Sequence, residues 1–217
     1  MDTPLEREIK IRVPDRFTYE RVRAVLGLPI ADIRQENHFF DTFDNRLRAT
    51  GSALRVRIER SSQGERAELT LKGPTSRVGA LTTRAEYTVI ISMQTAREIV
   101  RNPQILSSVG LDPANRAREI AGATGWREIA TFTNHRLTMN LDLGDGVAPL
   151  ELDHTLYPNA SEDFEIEFEN ASAELLTRAE RALRELLARV QIPWEPQTKS
   201  KIQRALERAG AILERDV

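Results

Sequence analysis

The chain has 217 residues, of which 40% are hydrophobic, enough to form the core of one large domain or two small ones. Because 31 Lys and Arg nearly balance 33 Asp and Glu, the net charge of −2 provides no overall field for nucleic acid or a membrane surface, and we expect neither as a partner. The absence of cysteine excludes disulfides and thiolate chemistry, and no apolar run approaches a membrane span or a signal-peptide core, so we expect a cytoplasmic protein.

Eight segments alternate apolar and polar residues, which is the pattern of half-buried β-strands. The predicted strands are residues 9–13, 38–43, 53–59, 67–73, 84–91, 133–143, 149–157 and 163–169. Clusters of Gly, Asn, Asp and Ser between several of them are typical of hairpin turns, and they favour an antiparallel arrangement. Helical periodicity predicts four helices, at residues 17–28, 95–106, 171–190 and about 198–213.

The last two predicted helices carry apolar stripes that identify their buried faces. In the helix at 171–190 the stripe consists of Leu175, Ala179, Leu183, Leu186, Leu187 and Val190. In the last helix we expect the inward face to consist of Ile202, Leu206, Ala209 and Leu213. No repeat or long linker divides the chain, so residues 1–217 are predicted to form a single α+β domain.

One face of six predicted strands carries charge. In the opening segment LEREIKIRV, residues 5–13, Glu6, Glu8 and Lys10 alternate with mostly apolar neighbours. If the predicted helices cover the apolar faces, the charged faces point inward, and eight antiparallel strands are enough to close a barrel around them. An open sheet with its charged face in water explains the alternation equally well. It explains less well why the two signs of charge are segregated along the chain.

This segregation of charge indicates a chemistry. Carboxylates concentrate on the first strand and the last two, and basic side chains on the middle strands, at Arg55, Arg57, Lys72, Arg84 and Arg136. Clustered carboxylates repel one another unless a hard cation such as Mg²⁺ or Mn²⁺ joins them. Clustered Arg and Lys bind anions, and guanidinium groups match phosphate oxygens. A cavity lined by both sets would suit a polyanion such as a triphosphate.

Eight short motifs follow one another along the chain. They are E-x-E-x-K from Glu6 to Lys10, QENHFFDT (35–42), GSALRVR (51–57), LTLKG (69–73), R-x-E at Arg84 and Glu86, LELD (150–153), E-x-E at Glu165 and Glu167, and TKSKI (198–202). In this order, and over almost the whole chain, they resemble the CYTH superfamily of triphosphate tunnel metalloenzymes. The resemblance implies an eight-stranded antiparallel closed β-barrel, the triphosphate tunnel, with helices packed on the outside.

The resemblance also implies roles for single residues. The ligands of one or two divalent cations, Mg²⁺ or Mn²⁺, would be Glu6, Glu8, Asp153, Glu165 and Glu167. The contacts to the triphosphate would be Lys10, Arg55, Arg57, Lys72, Arg136 and Lys201, with Arg84 and Glu86 orienting this basic lining. Catalysis would rest on Asp153 and Glu165, which hold the metal that activates water, and on Lys201.

Two of these assignments stay open. The predicted strand at 163–169 carries Glu165, Glu167 and Glu169 on one face, so the metal-binding pair is Glu165 with Glu167, which we prefer, or Glu167 with Glu169. Lys199 is the alternative to Lys201, and a lysine near the start of the last helix opposes the helix dipole unless an anion lies nearby.

The predicted function is metal-dependent hydrolysis of the terminal phosphate of inorganic triphosphate or of a small organic triphosphate, such as thiamine triphosphate or a nucleoside triphosphate. The protein would be a monomer or a homodimer. One alternative is an adenylate cyclase of class IV type, which the same fold supports. Another is a non-catalytic sensor that binds polyphosphate or nucleotides, although binding alone needs fewer carboxylates than the chain carries.

Overall fold

The computed structural model of the protein describes residues 4–122 and 125–213, with the backbone alone for 211–213. Within these ranges the chain forms nine strands and six α-helices. The strands are β1 (Leu5–Val13), β2 (Ala31–Thr42), β3 (Ala53–Ser61), β4 (Gly64–Lys72), β5 (Ser76–Val78), β6 (Leu81–Ile91), β7 (Trp126–Asp142), β8 (Val147–Leu156) and β9 (Glu162–Glu169). The helices are α1 (Arg16–Leu26), α2 (Arg46–Ala49), α3 (Met93–Arg101), α4 (Asp112–Ala121), α5 (Ala173–Arg189) and α6 (Lys201–Leu213), and a 3-10 helix (Pro103–Ser107) follows α3.

Eight of the strands close into an antiparallel barrel. Around the barrel the order is β1, β9, β8, β7, β2, β3, β4 and β6, and β6 pairs with β1 to complete the ring. The short β5 forms an additional hairpin with the start of β6. The predicted closed architecture is therefore confirmed. Its register places Glu6 opposite Arg84 and Lys10 opposite Glu167, so charges from distant parts of the chain meet on the same face.

The apolar faces of the strands point outward, where the helices cover them. Leu183 and Leu187 of α5 lie in one core with Ile11 of β1. A second core joins Ile99 of α3 to Leu69 of β4. Because apolar side chains are removed from water on the outside of the barrel, the alternation along each strand leaves the polar side chains to the interior.

Side chains next to the helices explain where three of them begin. The Asp15 carboxylate accepts a hydrogen bond from the backbone N–H of Thr18 at the start of α1. The Ser92 and Ser172 hydroxyls act in the same way at the starts of α3 and α5. Such caps satisfy backbone donors that the first helical turn leaves unpaired. Among the described residues, no helix has both the length and the apolar character needed to cross a membrane.

All eight predicted strands are present, but β2 and β7 begin several residues earlier than predicted. The predicted helix at 95–106 divides into α3 and the 3-10 helix, because Pro103 has no backbone N–H to continue the α-helical pattern. Helices α2 and α4 were not predicted. Helix α2 has only four residues, and α4 buries Pro113 and small side chains such as Ala114 and Ala117, which give a weak apolar stripe.

The buried face of the last helix differs from the prediction. Arg204 and Ala205 are buried, whereas Ala209, which was expected to face inward, is exposed. Ile202 and Leu206 are half-buried, and the side chain of Leu213 lies outside the described residues. The prediction was wrong at Ala209 because it required an apolar inward face, whereas the start of α6 contacts charged residues of the barrel.

The predicted stripe of α5 is largely confirmed. Its members from Ala179 to Val190 are buried. At the start of the helix Leu176 is buried and Leu175 is half-buried. At this end the buried face of α5 is therefore shifted by one residue from the predicted stripe.

Candidate active site in the barrel interior

The interior of the barrel contains a cavity of about 310 Å³, and charged side chains make up most of its lining. The cavity is lined by residues from seven of the eight barrel strands and from the start of α6, among them Glu6, Glu8, Lys10, Arg55, Arg57, Glu68, Lys72, Arg84, Glu86, Arg136, Glu167, Glu169 and Lys201. These residues belong to the charged faces of the strands. Their alternation along the sequence predicted that they point into the barrel, and in the structure they do.

Three buried carboxylates converge in the barrel, and one of them, that of Glu167, lines this cavity. Asp153 lies on β8 directly opposite Glu165 on β9, and Glu167 follows two residues later on the same face. Their carboxylate oxygens lie within 4.8 Å of one another. The Lys201 ammonium donates to Asp153 Oδ2 at 2.8 Å and to Glu167 Oε1 at 3.0 Å, and it also contacts Glu165. The oxygens form the kind of ligand set that Mg²⁺ or Mn²⁺ binds, so this acidic cluster could hold a divalent cation.

Cations keep two members of the acidic cluster, Asp153 and Glu167, ionised. Burial alone would raise the pKa of Asp153, but Arg136 and Lys201 outweigh burial and lower that pKa to about 2. Burial likewise opposes ionisation of Glu167, yet Lys10, Lys201 and Arg136 hold its pKa well below its usual range. Asp153 and Glu167 are therefore ionised at neutral pH.

Arg136 is engaged by carboxylates on several sides. Its Nε and one terminal nitrogen donate to the two oxygens of Asp153 at 2.8 and 2.6 Å. The same terminal nitrogen lies 2.5 Å from Glu167 Oε2, and the other lies 2.5 Å from Glu151 Oε2. Arg136, predicted as a triphosphate contact, thus lies in the acidic part of the cavity, and Glu151 is a half-buried partner that the sequence analysis did not include among the site residues.

The two glutamates of β1 differ in their surroundings. Glu6 accepts from Lys72 at 2.8 Å and also pairs with Arg84, and these cations hold its pKa below the usual range despite burial. Glu8 lies 3.2 Å from the ammonium of Lys10 and 3.4 Å from Arg84. Burial, together with the nearby carboxylates of Glu167 and Glu6, raises the pKa of Glu8, so an additional cation would favour its ionised form.

The opposite wall of the cavity carries an accumulation of positive charge. Burial and the adjacent Arg57 lower the pKa of Arg55 to about 10, although Arg55 donates to Glu68 at 2.7 Å. Burial and Arg84 likewise lower the pKa of Lys72. The buried Arg55 Nε has no hydrogen-bond partner among the described residues. Crowded, incompletely satisfied donors of this kind favour an anion as their partner.

Glu86 contacts the basic wall of the cavity, and Lys201 contacts the acidic cluster. Glu86 lies 2.7 Å from the Lys72 ammonium, so it orients one member of the basic wall. Lys201 reaches the acidic cluster, whereas the alternative Lys199 pairs with the exposed Glu207 at 2.8 Å, away from it.

The sequence analysis missed Arg204, which links α6 to the acidic cluster. Its guanidinium donates to Glu165 Oε2 at 2.7 Å and to the hydroxyl of Tyr157 at 3.2 Å. A signal was present, because residues three apart share a face of a helix and Arg204 follows Lys201 by three. It was overlooked because the inward face was expected to be apolar.

Glu169 lies at the end of β9 and is exposed, although it still borders the cavity. Partial burial and the neighbouring Glu6 and Glu8 raise the pKa of Glu169 to about 7. It is not one of the three converging carboxylates, which are those of Asp153, Glu165 and Glu167.

Comparison with known proteins agrees with this geometry. A protein from Hippeastrum, described as a candidate adenylyl cyclase with a dominant triphosphatase activity, is 27% identical, with a TM-score of 0.81 over 94% of this chain and 96% of its own. A candidate adenylate cyclase from Bacillus halodurans is 28% identical, with a TM-score of 0.65. The match covers 91% of this chain and 95% of the Bacillus chain. A Pyrococcus horikoshii protein shares the fold at 19% identity, with a TM-score of 0.62. The match covers 94% of this chain and 99% of the Pyrococcus chain.

A search of curated protein sequences found no match. The sequence profile of the CYTH domain, however, matches residues 4–206, which is nearly the whole chain. The motifs, the closed barrel and this match lead to one conclusion: the chain belongs to the CYTH domain family.

Proposed function

We propose that this protein is a metal-dependent triphosphatase that hydrolyses the terminal phosphate of a small triphosphate in the barrel interior. The observation that carries the proposal is a cavity whose lining combines crowded cations with Glu167, a member of the cluster of three buried carboxylates. The dominant triphosphatase activity described for the Hippeastrum protein supports the same reaction class.

The acidic residues would hold the metal. Asp153, Glu165 and Glu167 would bind one divalent cation, Mg²⁺ or Mn²⁺, and Glu6 and Glu8 would contribute to a second. A bound cation would neutralise part of the phosphate charge and would lower the pKa of a water molecule bound to it. The Lys201 and Arg136 side chains, which pair with these carboxylates in the structure, could then donate to phosphate oxygens instead.

The basic residues would hold the substrate. Lys10, Arg55, Arg57 and Lys72 would donate to the phosphate oxygens, and Arg84 would keep Glu6 in place. In a buried site such donors stabilise the charge that develops on the transferred phosphoryl group more strongly than they would in water. Hydrolysis would then require little covalent chemistry from the protein itself.

Phosphate release tests the proposal. With Mg²⁺ or Mn²⁺, we expect the protein to release phosphate from at least one of inorganic triphosphate, thiamine triphosphate and ATP. The Glu165→Gln and Arg57→Ala variants should lose about a hundredfold or more of this activity, the scale on which single electrostatic contacts act in such sites. Glu185→Gln, at an exposed position of α5, is the matched control and should keep full activity. Full activity of both site variants would disprove the assignment.

A second candidate function is adenylate cyclase activity, which the description of the Bacillus halodurans protein favours. Incubation with ATP followed by detection of cyclic AMP and pyrophosphate distinguishes it from hydrolysis, which yields ADP and phosphate. Tight binding of triphosphates without either product would instead indicate a sensor.

A further inference from the structure

The proposed function gives no role to the QENHFFDT motif, residues 35–42, although β2 carries it along the barrel wall. Asn37 of this motif shares the inward face of β2 with Phe39, which lines the interior cavity. Asn37 is buried, and in the sheet it lies directly opposite Arg57 of β3, another residue of the cavity lining. Its Oδ1 accepts a hydrogen bond from Arg57 Nε at 3.0 Å. The amide thus holds one side of an arginine that is expected to contact the triphosphate.

Arg57 differs from the other cations of the cavity in the partner that holds it. Each of the others has a carboxylate at hydrogen-bond distance: Lys10 has Glu167, Arg55 has Glu68, Lys72 and Arg84 have Glu6, and Arg136 and Lys201 have Asp153. For Arg57 the nearest carboxylates of the described residues, those of Glu59 and Glu68, lie 3.7 Å away. Its hydrogen bond goes to the neutral amide of Asn37 instead. The charge of Arg57 therefore remains available to an anion.

The contact at Nε also orients the guanidinium group. This group is planar, and its two terminal nitrogens lie beyond the carbon that carries Nε. Asn37 occupies Nε, while neither terminal nitrogen of Arg57 forms a hydrogen bond to the described residues. Two free donors in one plane match two oxygens of a phosphate group.

The same contact leaves a donor of Asn37 unpaired. Because Arg57 Nε can only donate, the Asn37 atom that faces it must be the oxygen, and Nδ2 points to the other side. There Nδ2 is buried without a hydrogen-bond partner among the described residues. A buried donor in this state lowers the stability of the fold, and an apolar side chain of similar size would avoid that cost. This favours a role for the Asn37 oxygen in the site.

We propose that Asn37 is a positioning residue for Arg57, whose Nε it holds so that both terminal nitrogens of the guanidinium are presented to the phosphates. The inference rests on the proposed function and adds to it a residue that acts through Arg57. A guanidinium that is already oriented loses less side-chain freedom when phosphate binds. The contribution of Asn37 should therefore appear in the affinity for triphosphate, and only while Arg57 is present.

Calorimetric dissociation constants for inorganic triphosphate, measured in EDTA to prevent hydrolysis, test the inference. Asn37→Leu keeps the size of the side chain but removes its acceptor, and it should raise the dissociation constant about tenfold, the scale of one hydrogen bond to a charged group. In the Arg57→Ala protein the same substitution should change the constant by less than about twofold. Asn37→Asp keeps an accepting oxygen and should bind triphosphate at least about threefold more tightly than Asn37→Leu.

Asn134→Leu is the matched control, because Asn134 is a similarly buried amide of the barrel that pairs with Gln35 and Thr155 and not with a cation. It should leave the dissociation constant within about twofold of the original value. Undiminished binding by Asn37→Leu, or an equal loss in the control, would overturn the inference. So would a tenfold loss that persists without Arg57, or an aspartate variant as weak as the leucine variant. If Asn37→Leu does not fold, Asn37→Ala takes its place in the same comparisons.

The inference and the proposed function can fail separately. Triphosphate binding without phosphate release in Mg²⁺ or Mn²⁺ would disprove the triphosphatase, and the dissociation constants in EDTA would still decide the role of Asn37. Absence of triphosphate binding by the original protein would overturn both.

Discussion

Arg204 shows how a residue outside the barrel can hold a carboxylate of the acidic cluster in place. Its guanidinium holds Glu165 Oε2 at 2.7 Å from a helix that is not part of the barrel. Residues that orient metal-binding carboxylates in this way are often as important as the ligands themselves. We regard Arg204 as a positioning residue for Glu165.

Replacing Arg204 with methionine should weaken metal binding. We expect the dissociation constant for Mn²⁺, measured by calorimetry, to rise about 10- to 100-fold, as is typical when a group that orients a ligand is lost. Arg208→Met is the matched control, because Arg208 lies on the same helix and pairs with Asp163, not with Glu165. Equal weakening by both variants would show that α6 acts only by packing.

Glu169 should make the metal-free protein less stable as the pH rises. Its pKa is about 7 in the folded protein, above its ordinary value of 4.5, so between these values the folded state binds more protons than the unfolded state. The contribution of Glu169 is therefore most favourable below about pH 4.5 and is lost as the pH rises through 7.

The Glu169→Gln variant tests this expectation. In the presence of EDTA it should unfold at a higher temperature than the original protein at pH 8, and at about the same temperature at pH 5. A destabilised variant at pH 8 would contradict the raised pKa.

The sequence could predict which residues face the barrel interior, because the two-residue period of a strand fixes the direction of each side chain. It could not predict which charges pair. Glu6 meets Lys72 and Lys10 meets Glu167 only through the register of strands that are distant along the chain. That register depends on the closure of the whole barrel and has no local signature.

At the scale of elements, α5 stabilises one side of the barrel by burying a continuous apolar stripe. Leu183 lies at its centre and is fully buried against the outer faces of the strands. We expect Leu183→Ala to lower the free energy of unfolding by about 2–5 kcal/mol, the range for removing a large buried side chain and leaving a cavity.

Chemical denaturation with urea measures the effect of Leu183→Ala. Arg181→Ala, at an exposed position of the same helix, is the control and should change the stability by less than about 0.5 kcal/mol. A loss for Leu183→Ala no larger than that of the control would show that the stripe does not support the fold.

Helices α5 and α6 also show when the apolar pattern of a helix predicts its buried face correctly. The stripe of α5 was predictable because the helix packs on an apolar surface. At α6 the same reasoning failed at Ala209, since one side of α6 meets a charged interior and buries Arg204. A helix that packs against a charged barrel interior can bury charged side chains as well as apolar ones.

At the scale of the whole molecule, the buried ion pairs couple folding to pH. In the folded protein the pKa of Asp153 is about 2, against an ordinary value of 3.8, and the pKa values of Glu6 and Glu167 are lowered as well. As the pH falls through this range, the unfolded chain takes up protons that the folded protein does not. The free energy of unfolding should therefore decrease progressively below about pH 4.

Urea denaturation in EDTA at pH 4, 3.5 and 3 measures this decrease. We expect the midpoint concentration of urea to fall at each step. A midpoint that stays constant or rises would mean that the interior carboxylates are protonated in the folded protein.

The position of β1 between β6 and β9 has a consequence for biosynthesis. Lys10 and its partner Glu167 are 157 residues apart, so one edge of the first strand stays without its neighbour until β9 has left the ribosome. Contacts this distant along a chain form slowly, and unpaired strand edges attract other chains. The barrel therefore cannot close before its last strand is made, and until then β1 and β8 each keep one edge without its partner β9.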